Sequence, residues 1–120
     1  IPVVADENGD LHGVAAEIDN DVATAVLANE IDADLLIIST AVEKESLRCG
    51  THEQEYVDRF TIAEVKQYLE AGGHFAEGSM APKMRAVVQF LEAGGKEALI
   101  TNPENIMRAM NGETGTRIVP

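Results

Sequence analysis

The chain has 120 residues, of which 45% are hydrophobic and 25% charged, the size and composition of one soluble globular domain with a buried core. Its formal net charge of −12 argues against nonspecific binding to nucleic acid or to an anionic membrane surface. No apolar run approaches the ~20 residues that cross a bilayer. The single cysteine, Cys49, excludes an intrachain disulfide and favours a reducing, cytoplasmic location.

Strand and helix patterns alternate along most of the chain. The aliphatic run at 34–40 (DLLIIST) is typical of a strand covered on both faces of a parallel sheet. The helix at 21–31 is apolar on most sides, which predicts that it is largely buried, whereas the charged, aperiodic segment 41–60 is predicted to be loop. The predicted elements, in chain order, are strands 1–4 and 11–14, helix 21–31, strand 34–40, helices 62–71 and 82–93, strand 97–101, helix 103–111 and strand 115–119. This alternation predicts an α/β fold, a three-layer α/β/α sandwich on a mostly parallel sheet.

A glycine-bounded loop at 73–83 (GHFAEGSMAPK) leads into the helix that follows it. Ser79 is predicted to cap this helix, Pro82 suits its first turn, and Lys83 follows at once. A cation is mildly disfavoured there, because the first turn has free N–H groups and the positive end of the helix dipole. A lysine at this point is better explained if it shares an anion such as phosphate with the backbone. An ordinary capped helix with a solvated lysine is the alternative.

Two carboxylates flank the start of the first long helix, Asp19 and Asp21. One interpretation is simple capping, with Asp19 or Asn20 at the cap and Asp21 in the first turn. The other is a functional carboxylate that orients a catalytic lysine or a magnesium-bound phosphate, since Mg²⁺ at such sites takes one or two carboxylates and otherwise phosphate oxygens. The sequence alone leaves both open.

Several segments together, in order and in spacing, resemble carbamate kinases of the amino acid kinase superfamily. They are 18–23 (IDNDVA), 33–40 (ADLLIIST), 50–54 (GTHEQ), 73–83 (GHFAEGSMAPK) and 115–120 (GTRIVP). The resemblance covers essentially the whole chain but only the C-terminal half of a carbamate kinase. It implies that residues 1–120 form the nucleotide-binding part of that α/β/α fold, and that the N-terminal half with its glycine-rich loops lies outside this chain.

The resemblance also implies an activity: reversible phosphoryl transfer between carbamoyl phosphate and ADP, giving ATP and carbamate with Mg²⁺. Family members are cytoplasmic homodimers in arginine or purine-derived catabolism, and this chain would pair with a second copy or with the missing N-terminal half. By match of motif, the implied catalytic residues are Asp21 and Lys83. The implied nucleotide-binding residues are Thr40, Gly78, Ser79, Met80 and Lys83, and no residue is assigned as a metal ligand.

The chain departs from the family pattern at three places. Asn20 stands where the family has a catalytic lysine, and a lost preorganised cation or donor costs about 10²–10³ in rate. Segment 40–46 reads TAVEKES where the family has Thr-Asp-Val-Asp-Gly-Val-Tyr, a stretch that helps form the nucleotide pocket. Ala81 replaces a glycine of the loop before Lys83. Asn20 and the altered 40–46 segment support an alternative, a noncatalytic homologue that binds nucleotide or serves as an assembly partner.

Overall fold

A computed structural model of the chain describes residues 1–48 and 50–120. Cys49, from which the sequence predicts a reducing environment, lies outside the described residues. The strands are β1 (Val3–Ala5), β2 (Leu11–Gly13), β3 (Leu35–Ser39), β4 (Ser46–Leu47), β5 (Glu55–Tyr56), β6 (Arg59–Thr61), β7 (Glu97–Thr101) and β8 (Thr116–Val119). The helices are α1 (Asn20–Glu30), α2 (Ile62–Ala71), α3 (Met80–Glu92) and α4 (Ile106–Met110), the last preceded by a 3₁₀ turn at Pro103–Asn105.

The main sheet has four strands in the order β3-β7-β8-β6. β3 is parallel to β7, with Leu35 opposite Glu97 and Ser39 opposite Thr101. β8 is antiparallel to β7 and parallel to β6, so two of the three pairings are parallel. The predicted α/β class and the mostly parallel sheet are therefore confirmed, with one antiparallel step at β8.

Helices cover both faces of this sheet, which confirms the three layers. On one face, α1, α2 and α3 pack over a core that includes Phe60, Ile100 and Ile118. The predicted apolar face of α3 is confirmed, because Met84 and Val87 are fully buried there. On the other face lies α4, and the described residues include no helix long and apolar enough to cross a membrane.

The predicted burial of α1 is wrong. Ala25 and Ala28 are buried, but the side chains of Val26 and Leu27 are 46% and 58% exposed. The helix packs chiefly on α3, through small residues that include Ala25 and Ala28, and this leaves Val26 and Leu27 about half exposed. The hydrophobic composition predicted the helix correctly, but it did not show how much of the helix surface packs against the rest of the chain.

The prediction of loop for 41–60 is also partly wrong. β4 and β5 form a two-residue antiparallel ladder, and β6 is an edge strand of the main sheet. Strands of two or three residues are too short to show a period of two. β6 in addition depends on β8, whose partner residues lie 58 positions further along the chain, because Arg59 is opposite Arg117.

Candidate active site

The topology brings the starts of two helices to one edge of the sheet. α1 precedes β3 and α3 precedes β7, each through a short connection, so each helix runs back along its strand. The N-terminus of each helix therefore lies near the carboxyl end of its strand. Because β3 and β7 are parallel, both helix starts share an edge, which is where open α/β sheets bind ligands.

An ion pair joins these two helix starts. Nζ of Lys83 lies 2.9 Å from Oδ2 of Asp21, and the two side chains are 23% and 27% exposed. Asp19 has a different role, because its Oδ1 accepts the N–H of Val22 at 3.0 Å and so caps α1. The two interpretations of the carboxylates are thus divided between them: Asp19 caps, and Asp21 faces the lysine.

A second contact holds the far ends of the same helices together. Asn29 near the end of α1 donates its Nδ2–H to the carbonyl of Phe90 near the end of α3, at 2.9 Å. α1 and α3 are therefore tied at both ends, by Asp21–Lys83 and by Asn29–Phe90. The relative position of the charged pair is set by the packing of the whole helix pair.

The start of α3 differs from the prediction that Ser79 caps it. The Ser79 side chain makes no capping hydrogen bond. Instead the N–H groups of Ser79, Met80 and Ala81 all donate to the carbonyl of Ala76, at 3.1, 2.9 and 3.0 Å. Helical hydrogen bonding already begins at Ala76, so these three amides are satisfied within the chain. These three amides are therefore not free to bind an anion, and Lys83, which is paired with Asp21, is the cationic side chain of this turn.

The other expected nucleotide-binding residues lie around this edge with different exposures. Gly78 and Ser79 are exposed in the turn before α3, whereas Met80 is 7% exposed and packs in the core. Thr40 follows β3 directly, and its N–H donates to the carbonyl of Thr101 at 2.8 Å. The structure therefore brings Asp21 and Lys83 into direct contact and places Thr40 at the same sheet edge, bonded to β7 rather than to the pair.

Segment 42–46, where the chain departs from the family pattern, lines a pocket of about 450 Å³. Its lining residues are Val42, Glu43, Lys44, Ser46, Gln54 and Tyr56, and it includes neither Asp21 nor Lys83. Three threonine side chains, from β7, β8 and the turn before β8, form hydrogen bonds with this segment. Thr101 Oγ1 donates to the Glu43 carbonyl at 3.1 Å, and Thr114 Oγ1 donates to Glu43 Oε1 at 2.5 Å.

The third threonine joins two segments next to the pocket, at Glu45 and at Val57. Thr116 is fully buried; its Oγ1 accepts the N–H of Glu45 at 2.8 Å and donates to the Val57 carbonyl at 2.6 Å. The Glu45 side chain is itself 4% exposed, and burial raises the pKa of its carboxyl group. Its Oε2 has no hydrogen-bond partner among the described residues. The altered segment is thus a packed structure that contains a buried carboxyl group with one unpaired oxygen.

A family model described as "Amino acid kinase family" matches residues 1–102. The chain belongs to the amino acid kinase family. It is 50% identical over 119 residues to the carbamate kinase-like protein YahI of Escherichia coli K12, covering 99% of this chain and 37% of that protein. It is 45% identical over 120 residues to the carbamate kinase of Thermoplasma volcanium, covering 100% of this chain and 39% of that protein.

Solved structures agree with this family assignment. Carbamate kinase from Giardia lamblia bound to AMP-PNP superposes with a TM-score of 0.90 at 39% identity, covering 99% of this chain and 41% of that one. The fold is therefore that of carbamate kinases in the amino acid kinase family. This amino acid kinase chain spans about two fifths of the length of the relatives it matches.

Sequence reasoning missed the residues that support this amino acid kinase site. Thr101 and Thr116 are buried strand residues whose hydroxyl groups form hydrogen bonds with the backbone of segment 43–45. The Asn29 side chain joins α1 to α3 by a hydrogen bond. The available signal was weak: a hydroxyl group in an otherwise apolar buried strand needs a hydrogen-bond partner. That signal shows a partner exists, but it does not show where along the chain the partner lies.

Proposed function

We propose that this chain is the nucleotide-binding part of a carbamate kinase-like phosphotransferase. The reaction is reversible transfer of a phosphoryl group between carbamoyl phosphate and ADP, giving ATP and carbamate. The observation that carries the proposal is the Lys83–Asp21 pair, which joins two helix starts at the carboxyl edge of β3 and β7. The family membership and the similarity to carbamate kinases support it.

In this proposal Lys83 neutralises negative charge on the phosphoryl group as it moves between oxygens. Phosphoryl transfer needs little covalent chemistry from the protein and depends on positioning and electrostatics. Asp21 holds the lysine ammonium in one place and keeps it from turning to solvent. The pair is about three-quarters buried, so the ammonium acts in a medium that screens it less than bulk water does.

The nucleotide would lie along the same edge. Thr40, Gly78, Ser79 and Met80 are proposed to contribute there together with Lys83; the Met80 side chain lies in the core and its N–H is bonded to the Ala76 carbonyl, so its part is to position the turn. The apolar side chains of Val42 and Tyr56 line the neighbouring pocket, which is large enough to take part of a nucleotide.

The residues present fit a magnesium ion that arrives with the nucleotide. No group of three or more His, Cys, Asp or Glu side chains able to hold a metal occurs among the described residues. Asp21 is paired with Lys83, so Mg²⁺ would be held chiefly by phosphate oxygens of the nucleotide, and such ions need only one or two carboxylates besides them. The ion would supply charge neutralisation to the phosphates, while Lys83 and Asp21 orient the nucleotide.

The proposal is tested by measuring ATP formation from carbamoyl phosphate and ADP with the full-length protein that contains this chain. We expect turnover that depends on both substrates and is lost when carbamoyl phosphate is replaced by acetyl phosphate. Background ATP formation under these conditions, with ADP binding retained, would reject catalysis and favour the second candidate below.

The second candidate is a noncatalytic homologue that binds nucleotide or serves in assembly. Asn20 favours it, because this exposed first residue of α1 is uncharged where the carbamate kinase pattern has a lysine. Under this reading, Asn20→Lys in the full-length protein should raise ATP formation by roughly 10²–10³. Asn111→Lys is the matched control, since it adds the same charge at an exposed position at the end of α4. Equal activity of the two variants would show that position 20 has no specific role in catalysis.

We further propose that the protein is a cytoplasmic homodimer, or that this chain associates with an N-terminal half, and that it acts in arginine or purine-derived catabolism. The exposed apolar side chains of Val26, Leu27 and Ile31 on and just after α1 support association. Sedimentation equilibrium on the full-length protein tests the dimer. A monomer at micromolar concentration would contradict that part of the proposal.

A further inference from the structure

Two arginines lie side by side on the face of the main sheet opposite the large core. Arg59 on β6 is directly opposite Arg117 on β8 in the parallel ladder. Phe60 and Ile118, the next residue on each strand, are buried in the core, so both arginine side chains project to the other face. Like charges at directly opposed positions of neighbouring strands destabilise a sheet. An arrangement of this kind calls for a compensating negative charge.

Among the described residues around this arginine pair, each cationic side chain except Arg59 forms an ion pair with an acidic side chain. Lys44 forms an ion pair with Asp58. Arg117 pairs with Glu97, and it also donates to the carbonyl groups at the end of α4. Among the described residues, Arg59 makes neither an ion pair nor a side-chain hydrogen bond.

The neighbouring acids on the α4 side are engaged as well. Glu113 lies 3.4 Å from Nε of Arg108, and Glu43 lies 3.6 Å from Nη1 of the same arginine. Within residues 1–48 and 50–120, Arg59 is therefore the one cation of this region without an acidic partner.

These side chains surround a cavity of about 320 Å³. It is lined by Lys44, Asp58, Arg59, Glu113 and Arg117, together with the backbone of the turn Gly112–Gly115. Three of the chain's nine cationic side chains line this one cavity, although the chain as a whole carries a net charge of −12. An anion that approaches the molecule meets less repulsion here than over the strongly acidic remainder of the surface.

We infer that this cavity is a binding site for a small oxyanion of the phosphate class, separate from the Lys83–Asp21 site. The planar guanidinium of Arg59 offers a two-pronged donor to a phosphate or phosphate ester; Lys44 also lines the cavity, where it is paired with Asp58. The inference does not depend on the proposed function, because Arg59, which carries it, belongs neither to the Lys83–Asp21 pair nor to the pocket lined by Val42 and Tyr56.

The experiment is equilibrium dialysis of inorganic phosphate against the full-length protein at constant ionic strength. We expect saturable binding in the millimolar range and at least a roughly tenfold weaker affinity in Arg59→Gln, the usual effect of losing a charge-assisted hydrogen bond. Lys66→Gln, which removes an exposed lysine on α2, is the matched control and should bind phosphate like the wild type. Absence of saturable binding, or equal affinity in Arg59→Gln, would overturn the inference.

Lys83→Gln separates this inference from the proposed function. Phosphate binding that is lost in Lys83→Gln and retained in Arg59→Gln would place the anion at the nucleotide site, leaving the proposed function intact and removing the second site. The binding site can also be located without variants, by following the backbone amide NMR signals of the wild-type protein during a phosphate titration. The signals of Gly112 and Gly115 should move most, whereas changes confined to the start of α3 would contradict the second site.

Discussion

Replacement of Lys83 by alanine should reduce phosphoryl transfer far more than it reduces stability. The change removes the cation that faces Asp21 across the starts of α3 and α1. Two unit charges 2.9 Å apart attract by about 6 kcal/mol at an effective dielectric constant of ~20, before the cost of removing them from water is subtracted. The net effect on folding is much smaller, because that desolvation cost offsets most of the attraction.

The expected loss of stability and the expected loss of activity differ in size. Exposed ion pairs contribute about 0–1 kcal/mol to stability, whereas breaking a fully buried pair costs about 3–5 kcal/mol. With roughly a quarter of each side chain exposed, the Lys83–Asp21 pair lies between these limits, so we expect Lys83→Ala to lower the free energy of unfolding by about 1–2 kcal/mol. Loss of a preorganised cation at the reacting phosphate should lower kcat/KM by about 10²–10³.

The assay compares kcat/KM for ATP formation with the free energy of unfolding in urea, both on the full-length protein. Lys66→Ala is the control, because Lys66 also forms an ion pair, with Glu92 at 2.7 Å, but both side chains are about half exposed and lie away from the site. Lys66→Ala should lower the free energy of unfolding by about 0–1 kcal/mol, as for other exposed ion pairs, and should leave kcat/KM unchanged. A loss of kcat/KM below tenfold in Lys83→Ala, or a loss fully explained by unfolding, would refute the assigned role.

Three further changes test the structure itself, each by urea unfolding. Thr61→Ala removes the capping box of α2, in which Thr61 and Glu64 exchange hydrogen bonds, and should cost about 0.5–2 kcal/mol; no loss would contradict the cap. Gly95→Ala would place a Cβ 2.6 Å from ring carbons of the fully buried Phe90, so we expect about 1–3 kcal/mol of destabilisation, and a neutral result would show that the ring can move. Burial raises the pKa of Glu45 above its unfolded value, so its ionisation destabilises the fold as pH rises above the unfolded pKa. Glu45→Gln should therefore be more stable than wild type at pH 7, with a gain that shrinks as pH falls towards the ordinary glutamate range, and a gain that does not vary with pH would contradict this cause.

Local signals predicted the elements that local chemistry determines. The capping box at Thr61 and the bounds of β7 agree with the sequence prediction, because a cap and an aliphatic strand are specified by adjacent residues. β6 was missed, since three residues with one buried side chain gain strand structure only by pairing with β8. The burial of α1 was overestimated because composition does not reveal which neighbours a helix has.

The candidate site shows the same division between local and distant information. Lys83 was singled out by its place near a helix start, and Asp21 by its place beside a cap, but the two are 62 positions apart and no spacing rule joins them. Only the parallel pairing of β3 with β7 brings their helices to one edge. The capping role expected for Ser79 failed for a reason of backbone geometry, because the Ala76 carbonyl already accepts the amides of that turn.

This geometry also clarifies what the change at position 20 does. Asp19 is committed to capping and Asp21 to Lys83, so the helix start carries two carboxylates against one lysine. A lysine in place of Asn20 would balance them, since the position is exposed and adjacent to Asp21. With asparagine the local charge stays negative, and under the proposed function a nucleotide phosphate would approach against it. The contact between Lys83 and Asp21 can therefore persist in a protein whose transfer rate is low, which is why the rate gain in Asn20→Lys, rather than the presence of the pair, separates the two candidate functions.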